Sequence, residues 1–315
     1  MLETIISPVD KALIKAELTT ERLLRETNVG GHSIYSVTAH EAPNTMREIG
    51  RLREYTFRAA GAGTGKACDI DEYDLCDHPF RQLIVWNNET EEIISAYRYI
   101  LGKEAALDKN GYPFTSNSEI FYHSPEFVKG QWQESIELGR SFVQPKYQAT
   151  NNLRTGMYAL DNVWDGLGAL IVKYPEIKYF IGKMTIYDSY NREARNLILA
   201  YLEKHHKATD GLLCPFQSSL IIDGYKDAVA FFHDPNASCK EDFKLLTKRI
   251  RELKVTLPPL VKTYISLSPS LRYYGPSRNP GFGPVDDTCI IVTIPDIYEH
   301  KIERHVKGMA NVLNK

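Results

Sequence analysis

The chain has 315 residues, of which 43% are hydrophobic and 25% charged, proportions typical of a soluble globular protein with one large domain or two small ones. Its net charge of -2 argues against a nucleic-acid binder that relies on a general basic field. Five scattered cysteines favour a reducing compartment, and neither an export signal nor a run of roughly 18 apolar residues is visible. We therefore expect a cytoplasmic protein whose membrane contact is at most peripheral, at the inner face.

Hydrophobic periodicity predicts the elements in the first part of the chain. A helix over residues 10–25, a strand over 32–37 and a helix over 42–60 follow one another, and the glycine-rich residues 61–65 end the second helix. Two apolar stretches, 82–87 and 93–101, are separated by a polar segment with the composition of a hairpin loop. They are predicted to be antiparallel strands.

The rest of the chain alternates between strands and helices. Strands are predicted over 134–143, 178–187 and 288–294, helices over 152–173, 192–205 and 240–253, and a further apolar segment over 260–267. Residues 270–284, rich in Pro, Gly, Tyr and Arg, are interpreted as a lid or as an ordinary loop between the last strands. We expect one mixed α/β domain, with a helical leader at 1–31, a core at 32–210 and residues 211–315 completing it.

The strand predicted over residues 134–143 carries charge where apolar side chains are expected. Because side chains alternate along a strand, Glu137 and Gly139 are predicted to point to one face, and Leu138 and Arg140 to the other. Buried charges are tolerated mainly when they are paired or used, so partners are required. The candidates are Arg53, Asp71, Asp74 and Arg98.

These charged residues carry a family resemblance. The order Arg53, Phe57, Asp71, Asp74, Arg98, Phe121, Glu137 and Arg140 resembles the pattern of acyl-homoserine-lactone synthases. Residues 137–140 (Glu-Leu-Gly-Arg), 257–260 (Leu-Pro-Pro-Leu) and 279–282 (Asn-Pro-Gly-Phe) look more like a sister group. That group comprises the acyl-carrier-protein-dependent N-acyltransferases that begin ornithine-lipid and glycine-lipid synthesis, often labelled haemolysins, in the GNAT superfamily.

The resemblance implies a fold and a reaction. The expected fold is the GNAT-like α/β (α+β) fold, with a mixed, mostly antiparallel central sheet flanked by helices and extra C-terminal elements. The expected reaction transfers a long fatty acyl chain, with or without a 3-hydroxyl group, from acyl carrier protein to the α-amine of a small amino acid. The product would be an N-acyl amino acid, the lyso form of an aminolipid.

Residue roles follow from the same resemblance and from the chemistry of amide formation. The acceptor arrives as an ammonium ion that must lose a proton, and Glu137 is the candidate base. Asp71 and Asp74 are assigned to holding the ammonium or shaping the field around it. Substrate binding is assigned to the residues that could hold the acceptor or line the acyl site, namely Arg53, Phe57, Arg98, Phe121 and Arg140.

The acyl donor is predicted from the segment after the charged strand. Residues 144–152 lack the glycines with which acetyltransferases wrap the coenzyme A pyrophosphate, and this favours the single phosphate of a carrier-protein pantetheine. The resemblance implies that backbone amides near Phe142 and Val143 bind the thioester oxygen. The phosphate is assigned to Lys146, Asn151, Asn152 and Arg154. No bound cofactor is expected, and acyl carrier protein or acyl-CoA acts as co-substrate.

Several alternatives stay open at this stage. Glu137 and Arg140 could close a purely structural ion-pair network. The acidic run from Asp69 to Asp74 departs from a calcium loop, because Phe80 stands at the twelfth position, and no metal is predicted. Rival functions are a homoserine-lactone-type signal synthase, an acyl-CoA-dependent N-acetyltransferase, a non-catalytic acyl-binding protein and a membrane-active haemolysin. The identity of the accepting amino acid is undecided.

Overall fold

The protein is described by a computed structural model that covers residues 2–148, 153–218 and 223–307. Apart from the gaps between these ranges, the chain forms two compact units. The first is built from residues 2–114, 133–178 and 298–307, and the second from residues 115–132 and 179–297.

The secondary structure alternates between strands and helices over most of the chain. In chain order the elements are α1 (Lys11–Glu17), β1 (Leu23–Glu26), β2 (Ser33–Val37), α2 (Pro43–Ala59), α3 (Glu72–Leu75), β3 (Arg81–Asn87), β4 (Glu92–Leu101), β5 (Phe121–His123), α4 (Pro125–Lys129), β6 (Ser135–Val143), α5 (Leu153–Lys173), β7 (Tyr179–Tyr187), α6 (Arg192–His206), β8 (Leu213–Pro215), α7 (Tyr225–Phe231), α8 (Cys239–Glu252), α9 (Pro259–Ile265), β9 (Arg272–Arg278), β10 (Val285–Thr293) and α10 (Glu299–Ile302).

The first unit is an antiparallel sheet flanked by helices. Its strands pair in the order β1, β2, β3, β4, β6, and each pair is antiparallel. Helix α2 begins with Pro43 in its first turn, where the missing backbone N–H costs nothing, and it buries Met46, Ile49, Leu52 and Phe57. Helix α5 packs against β3 and β4. The charged strand β6 is therefore held against β4 inside a well-packed layer.

The second unit contains a three-stranded antiparallel sheet, in the order β7, β10, β9, and a short antiparallel pair, β5 with β8. Helix α6 contacts α7, α8 and β9. Three helices of this unit begin with side-chain caps: Ser124 accepts the N–H of Phe127 in α4, Asn191 accepts the N–H of Ala194 in α6, and Ser238 forms a capping box with Glu241 in α8. None of the helices in the described ranges has both the length and the apolar character needed to cross a bilayer.

The longer predicted elements are confirmed, and two predictions are wrong. The leader helix predicted over 10–25 ends at Glu17, and Leu23 and Leu24 lie in β1, where pairing with β2 replaces helical contacts. Residues 270–284 are more than a loop, because they contain β9. Pro276 lies within β9, which is an edge strand, where a proline costs few ladder hydrogen bonds.

Candidate active site

The centre of the candidate site is a buried pair between Arg53 of α2 and Asp74 of α3. Nη1 of Arg53 donates to Oδ2 of Asp74 at 2.8 Å and to the backbone oxygen of Asp69 at 3.2 Å. Nη2 donates to Oε1 of Gln82 at 2.7 Å, and Nε2 of Gln82 donates to Oδ1 of Asp74 at 3.0 Å. Arg53, Asp74 and Gln82 are each 0% exposed, so the three side chains form a closed triangle shielded from bulk solvent.

Arg98 of β4 joins this triangle to Asp71. Its Nη1 lies 2.7 Å from both carboxylate oxygens of Asp71 and 3.3 Å from Oδ2 of Asp74. Its guanidinium also lies over the rings of Phe80 and Tyr73, at 4.8 and 5.7 Å from their centroids. The two aspartates are three residues apart and cap α3 reciprocally, so the local helix turn presents both carboxylates to one guanidinium.

A β-bulge in β6 places the third arginine. Arg98 of β4 pairs with Gly139, and Ala96 pairs with Phe142. Two residues of β6, Arg140 and Ser141, therefore lie opposite the single residue Tyr97 of β4. Arg140 has a φ of 48°, in the left-handed region that an arginine rarely adopts. The bulge costs conformational energy and redirects the strand at this point.

The bulge overturns the predicted face of Arg140. Nε of Arg140 lies 2.9 Å from Oδ2 of Asp69, and Nη2 lies 3.6 Å from Oδ2 of Asp71, the carboxylate that also binds Arg98. Regular alternation would have sent Arg140 to the face opposite Glu137 and Gly139. Because the extra residue breaks the alternation, Arg140 instead reaches the same charge network as Arg98.

Glu137 lies on that face as well. It pairs with Ile100 of β4, and Gly139 pairs with Arg98. Directly opposed residues share a face and alternate residues along a strand do too, so Glu137 and Arg98 project from the same side of the sheet. Glu137 is 2% exposed. A buried carboxyl group therefore lies on the same side of the sheet as Arg98.

The network controls the ionisation of its members. Burial alone would raise the pKa of Asp74, but the guanidinium groups of Arg53 and Arg98 outweigh it and hold that pKa far below its usual range. Burial would likewise lower the pKa of Arg98, but the carboxylates of Asp74 and Asp71 raise it instead. Both side chains are therefore charged at neutral pH, as a permanent electrostatic framework.

The other predicted site residues are distributed more widely. Phe57 is buried in α2, and Phe121 is buried in β5 of the second unit. Phe142 is buried and pairs with Ala96, whereas Val143 pairs with Ser95 at the end of β6. Their backbone lies next to the bulge.

The residues assigned to the donor phosphate are only partly described. Lys146 is exposed, and its Nζ donates to Oε2 of Glu92 at 2.6 Å. Burial would raise the pKa of Glu92, but hydrogen bonds from Lys146, Tyr147 and Lys11 lower it to about 2, so the lysine has a charged partner. Asn151 and Asn152 lie outside the described residues, and Arg154 is placed by its backbone in the first turn of α5.

Two members of the network were not predicted from the sequence. Asp69 was considered only as part of an acidic run, and Gln82 only as the start of an apolar strand. Asp69 is 1% exposed, and its side-chain partner is Arg140. A polar residue at the start of an otherwise apolar strand is the signal that could have identified Gln82.

The arrangement combines several acids with guanidinium groups. Within the described residues no three His, Cys, Asp or Glu side chains are grouped as metal ligands. Three guanidinium groups face three aspartates, of Asp69, Asp71 and Asp74, and Glu137 adds a further carboxyl group on the same side of the sheet. Such a site can bind a small zwitterion and accept a proton from it.

Comparisons with known proteins agree with this chemistry. Residues 52–157, which span α2 to the first turns of α5, match the acetyltransferase (GNAT) domain family. A protein of Bacteroides thetaiotaomicron named glycine N(alpha)-acyltransferase is 47% identical over 306 residues, 97% of this chain and 90% of that protein. A protein of the same name from Phocaeicola vulgatus is 47% identical over 311 residues, covering 98% and 94%. No solved structure matches the chain significantly. The chain therefore belongs to the family of these N-acyltransferases, within the GNAT superfamily, and is an acyltransferase.

Proposed function

We propose that this enzyme acylates the α-amine of glycine with a long fatty acyl chain, with or without a 3-hydroxyl group, taken from acyl carrier protein. The product is an N-acylglycine, the lyso form of a glycine lipid. The observation that carries the proposal is the 47% identity, over nearly the whole chain, to two proteins named glycine N(alpha)-acyltransferase. Relatives of that similarity and coverage support glycine over ornithine, the choice that the sequence left open.

The reaction needs a base and a place for negative charge. Glycine binds as a zwitterion, and its ammonium group gives a proton to Glu137, whose buried position on the same face of the sheet as Arg98 supports this role. The neutral amine then attacks the thioester carbonyl carbon. As the C–N bond forms and the C–S bond breaks, charge on the carbonyl oxygen is stabilised by backbone amides near Phe142 and Val143. The pantetheine thiolate takes up the second proton that the nitrogen loses, and Glu137 releases the first proton to solvent.

The three arginines have a supporting role in this scheme. Arg53 and Arg98 are engaged with aspartates in the network, which makes them a fixed positive framework around Asp71 and Asp74. Arg140 is 14% exposed at its side chain, the most accessible of the three. We assign the carboxylate of glycine to Arg140 and the ammonium group to Asp71 together with Glu137.

The donor proposal rests on the segment after β6. Residues 144–148 contain no glycine, and Lys146 is engaged with Glu92. Such a segment is poorly suited to wrapping a pyrophosphate with backbone amides, whereas a single phosphodiester needs fewer backbone amides close to it. This supports acyl carrier protein over acyl-CoA.

Mass spectrometry of lipids from cells that express the chain tests the proposal. Wild type is compared with Glu137→Gln and with the control Glu134→Gln, which removes a partly exposed carboxylate paired with Lys178 just before the same strand. We expect N-acylglycine in the wild type and the control, and a loss of about 100-fold or more in Glu137→Gln. Equal amounts of product in all three would support the proposed reaction but show that Glu137 is not its base and has only a structural role.

Purified protein separates the remaining alternatives. Acyl carrier protein and acyl-CoA carrying the same chain are offered in turn with glycine, ornithine or S-adenosylmethionine. Turnover with acyl-CoA alone would make the enzyme a coenzyme A-dependent N-acyltransferase, and a lactone product would make it a signal synthase. Binding of the acyl donor without turnover by any acceptor would favour a non-catalytic acyl-binding protein.

A further inference from the structure

Helix α8 in the second unit carries a continuous row of positive charge. Lys240, Lys244, Lys248 and Arg251, called here the basic row, are all exposed. At 100° per residue these positions fall within an arc of about 80°, and at 1.5 Å per residue they extend over about 16 Å. The helix therefore presents four cations along one straight side.

The opposite side of α8 holds the helix in place. Leu246 and Ile250 are buried, and buried Asp242 accepts hydrogen bonds from Nζ of Lys204 and Nε2 of His205, both at 2.7 Å. These anchors come from α6 and fix the rotation of α8 about its axis. The basic row is consequently directed away from the packed side of its unit.

The charges of the row are only partly balanced by neighbouring acids. Among the described residues, none of the four side chains makes a hydrogen bond or a salt bridge. Of the two acids beside the row, Glu252 pairs with Arg249, whereas Glu241 accepts from Ser238 in the capping box and keeps a charge that interacts with Lys244. The chain as a whole has a net charge of -2, so the row is a local concentration of charge and not part of a basic protein.

We infer that the basic row binds the headgroups of an anionic lipid surface. Its arc contains no apolar residue, whereas the centre of a protein interface is depleted in charge and poor in lysine. Three of the four residues are lysines, whose charges attract anionic lipids without requiring a fitted pocket. Four cations on a straight helix side can contact a flat surface together. The inference uses the charge and geometry of α8 alone, so it is independent of the acyl donor and acceptor.

Co-sedimentation with lipid vesicles tests the inference. Wild-type enzyme is mixed with vesicles of phosphatidylcholine alone or with an equal part of phosphatidylglycerol, at low and high salt. The row variant replaces all four residues by glutamine. The control variant replaces four exposed lysines, none of which makes a side-chain hydrogen bond or ion pair to the described residues: Lys66, Lys109, Lys129 and Lys226.

We expect binding of the wild type and the control only to the anionic vesicles, weakened by salt, and a fall of roughly 100-fold or more in the partition coefficient of the row variant. Thermal unfolding midpoints close to that of the wild type show that both variants are folded. The inference is overturned if the wild type does not bind, or if both variants lose binding equally. It is also overturned if the row variant keeps vesicle binding but loses binding to acyl carrier protein, because the row would then serve a protein partner.

Discussion

The carboxylate of Asp71 joins strand β4 to helix α3. Both of its oxygens lie 2.7 Å from Nη1 of Arg98 in β4, and Oδ1 also accepts the backbone N–H of Asp74 in α3 at 3.2 Å. The side chain that begins α3 is thus the one that pairs with β4. The positions of Asp71 and Asp74 therefore depend on Arg98 in β4, and the charge of Arg98 is balanced by the same carboxylate that caps α3.

The two roles of Asp71 can be separated by substitution. Asp71→Asn keeps a side-chain oxygen that can cap α3 but loses the charge that faces Arg98, whereas Asp71→Ala loses both. We expect Asp71→Ala to be less stable than Asp71→Asn by about 1 kcal/mol, the usual contribution of a cap. Urea unfolding of both variants measures the difference. Equal stabilities would show that capping contributes nothing here.

The pairing of Arg53 with Asp74 should make the free energy of unfolding depend on pH in the acidic range. The folded pKa of Asp74 is lowered, so its contribution is complete above the unfolded pKa near 4 and is lost as the pH falls further. In Arg53→Met the free energy of unfolding at pH 7 should fall by about 3–5 kcal/mol, because Asp74 is left buried beside one guanidinium fewer. The part of the acid dependence due to Asp74 should shrink as well.

The control for this variant is the exposed pair between Asp188 and Arg278, whose side chains are 44% and 38% exposed. Asp188→Asn should change the free energy of unfolding by less than about 1 kcal/mol. Urea unfolding from pH 2.5 to pH 7 measures both variants. A loss in Arg53→Met no larger than in this control would contradict a tightly coupled buried network.

The bulge at Arg140 predicts an unusual order of stabilities. Arg140→Ala and Arg140→Gly both remove the ion pair with Asp69, but only glycine adopts a φ of 48° without a steric penalty. We expect the glycine variant to be more stable than the alanine variant by about 1 kcal/mol. Thermal or urea unfolding of the two variants decides this. The reverse order, usual in regular strands and helices, would show that the bulge relaxes when the side chain is lost.

Buried histidines in the second unit should weaken the protein at mildly acid pH. Burial, with a smaller contribution from Lys183, lowers the pKa of His123 to about 4, and burial also lowers the pKa of His206 to about 4. The unfolded chain therefore binds protons from about pH 6.5 downward while the folded chain does not, so stability falls between pH 6.5 and pH 4. His123→Gln should make this fall shallower, and replacement of the exposed His78 should not.

Close packing of the C-terminal segment on α5 predicts a severe effect at Gly168. A methyl group there would lie 2.2 Å from the backbone oxygen of His305, which cannot move aside as a side chain can. Gly168→Ala should cost about 1–3 kcal/mol and make residues 299–307 more accessible to protease. Gly166→Ala is the control, because the nearest atoms to its new methyl group belong to the side chain of Leu83 and not to backbone, and a side chain can shift at lower cost. Equal stability of the two variants would refute the close approach.

The long elements were predictable because their sequences repeat one pattern over many residues. Helices α2 and α6 and strands β4 and β6 match the predicted ranges within two residues at each end. The short elements were not, since α3 has four residues and β5 three, too few for a period to be visible. The leader was mistaken for one long helix because the leucines of β1 happen to continue a helical spacing.

The sequence by itself determined the family and the need for charge pairing: an apolar strand that contains Glu137 and Arg140 cannot be buried without partners, and the motif order pointed to the GNAT N-acyltransferases. Only the tertiary structure decided which groups meet. The pairing of Arg140 with Asp69 depends on a bulge that one extra residue inserts between β6 and β4, and no pattern in β6 alone announces it. Register between strands is a property of two distant segments, and therefore it appears only when both are in place.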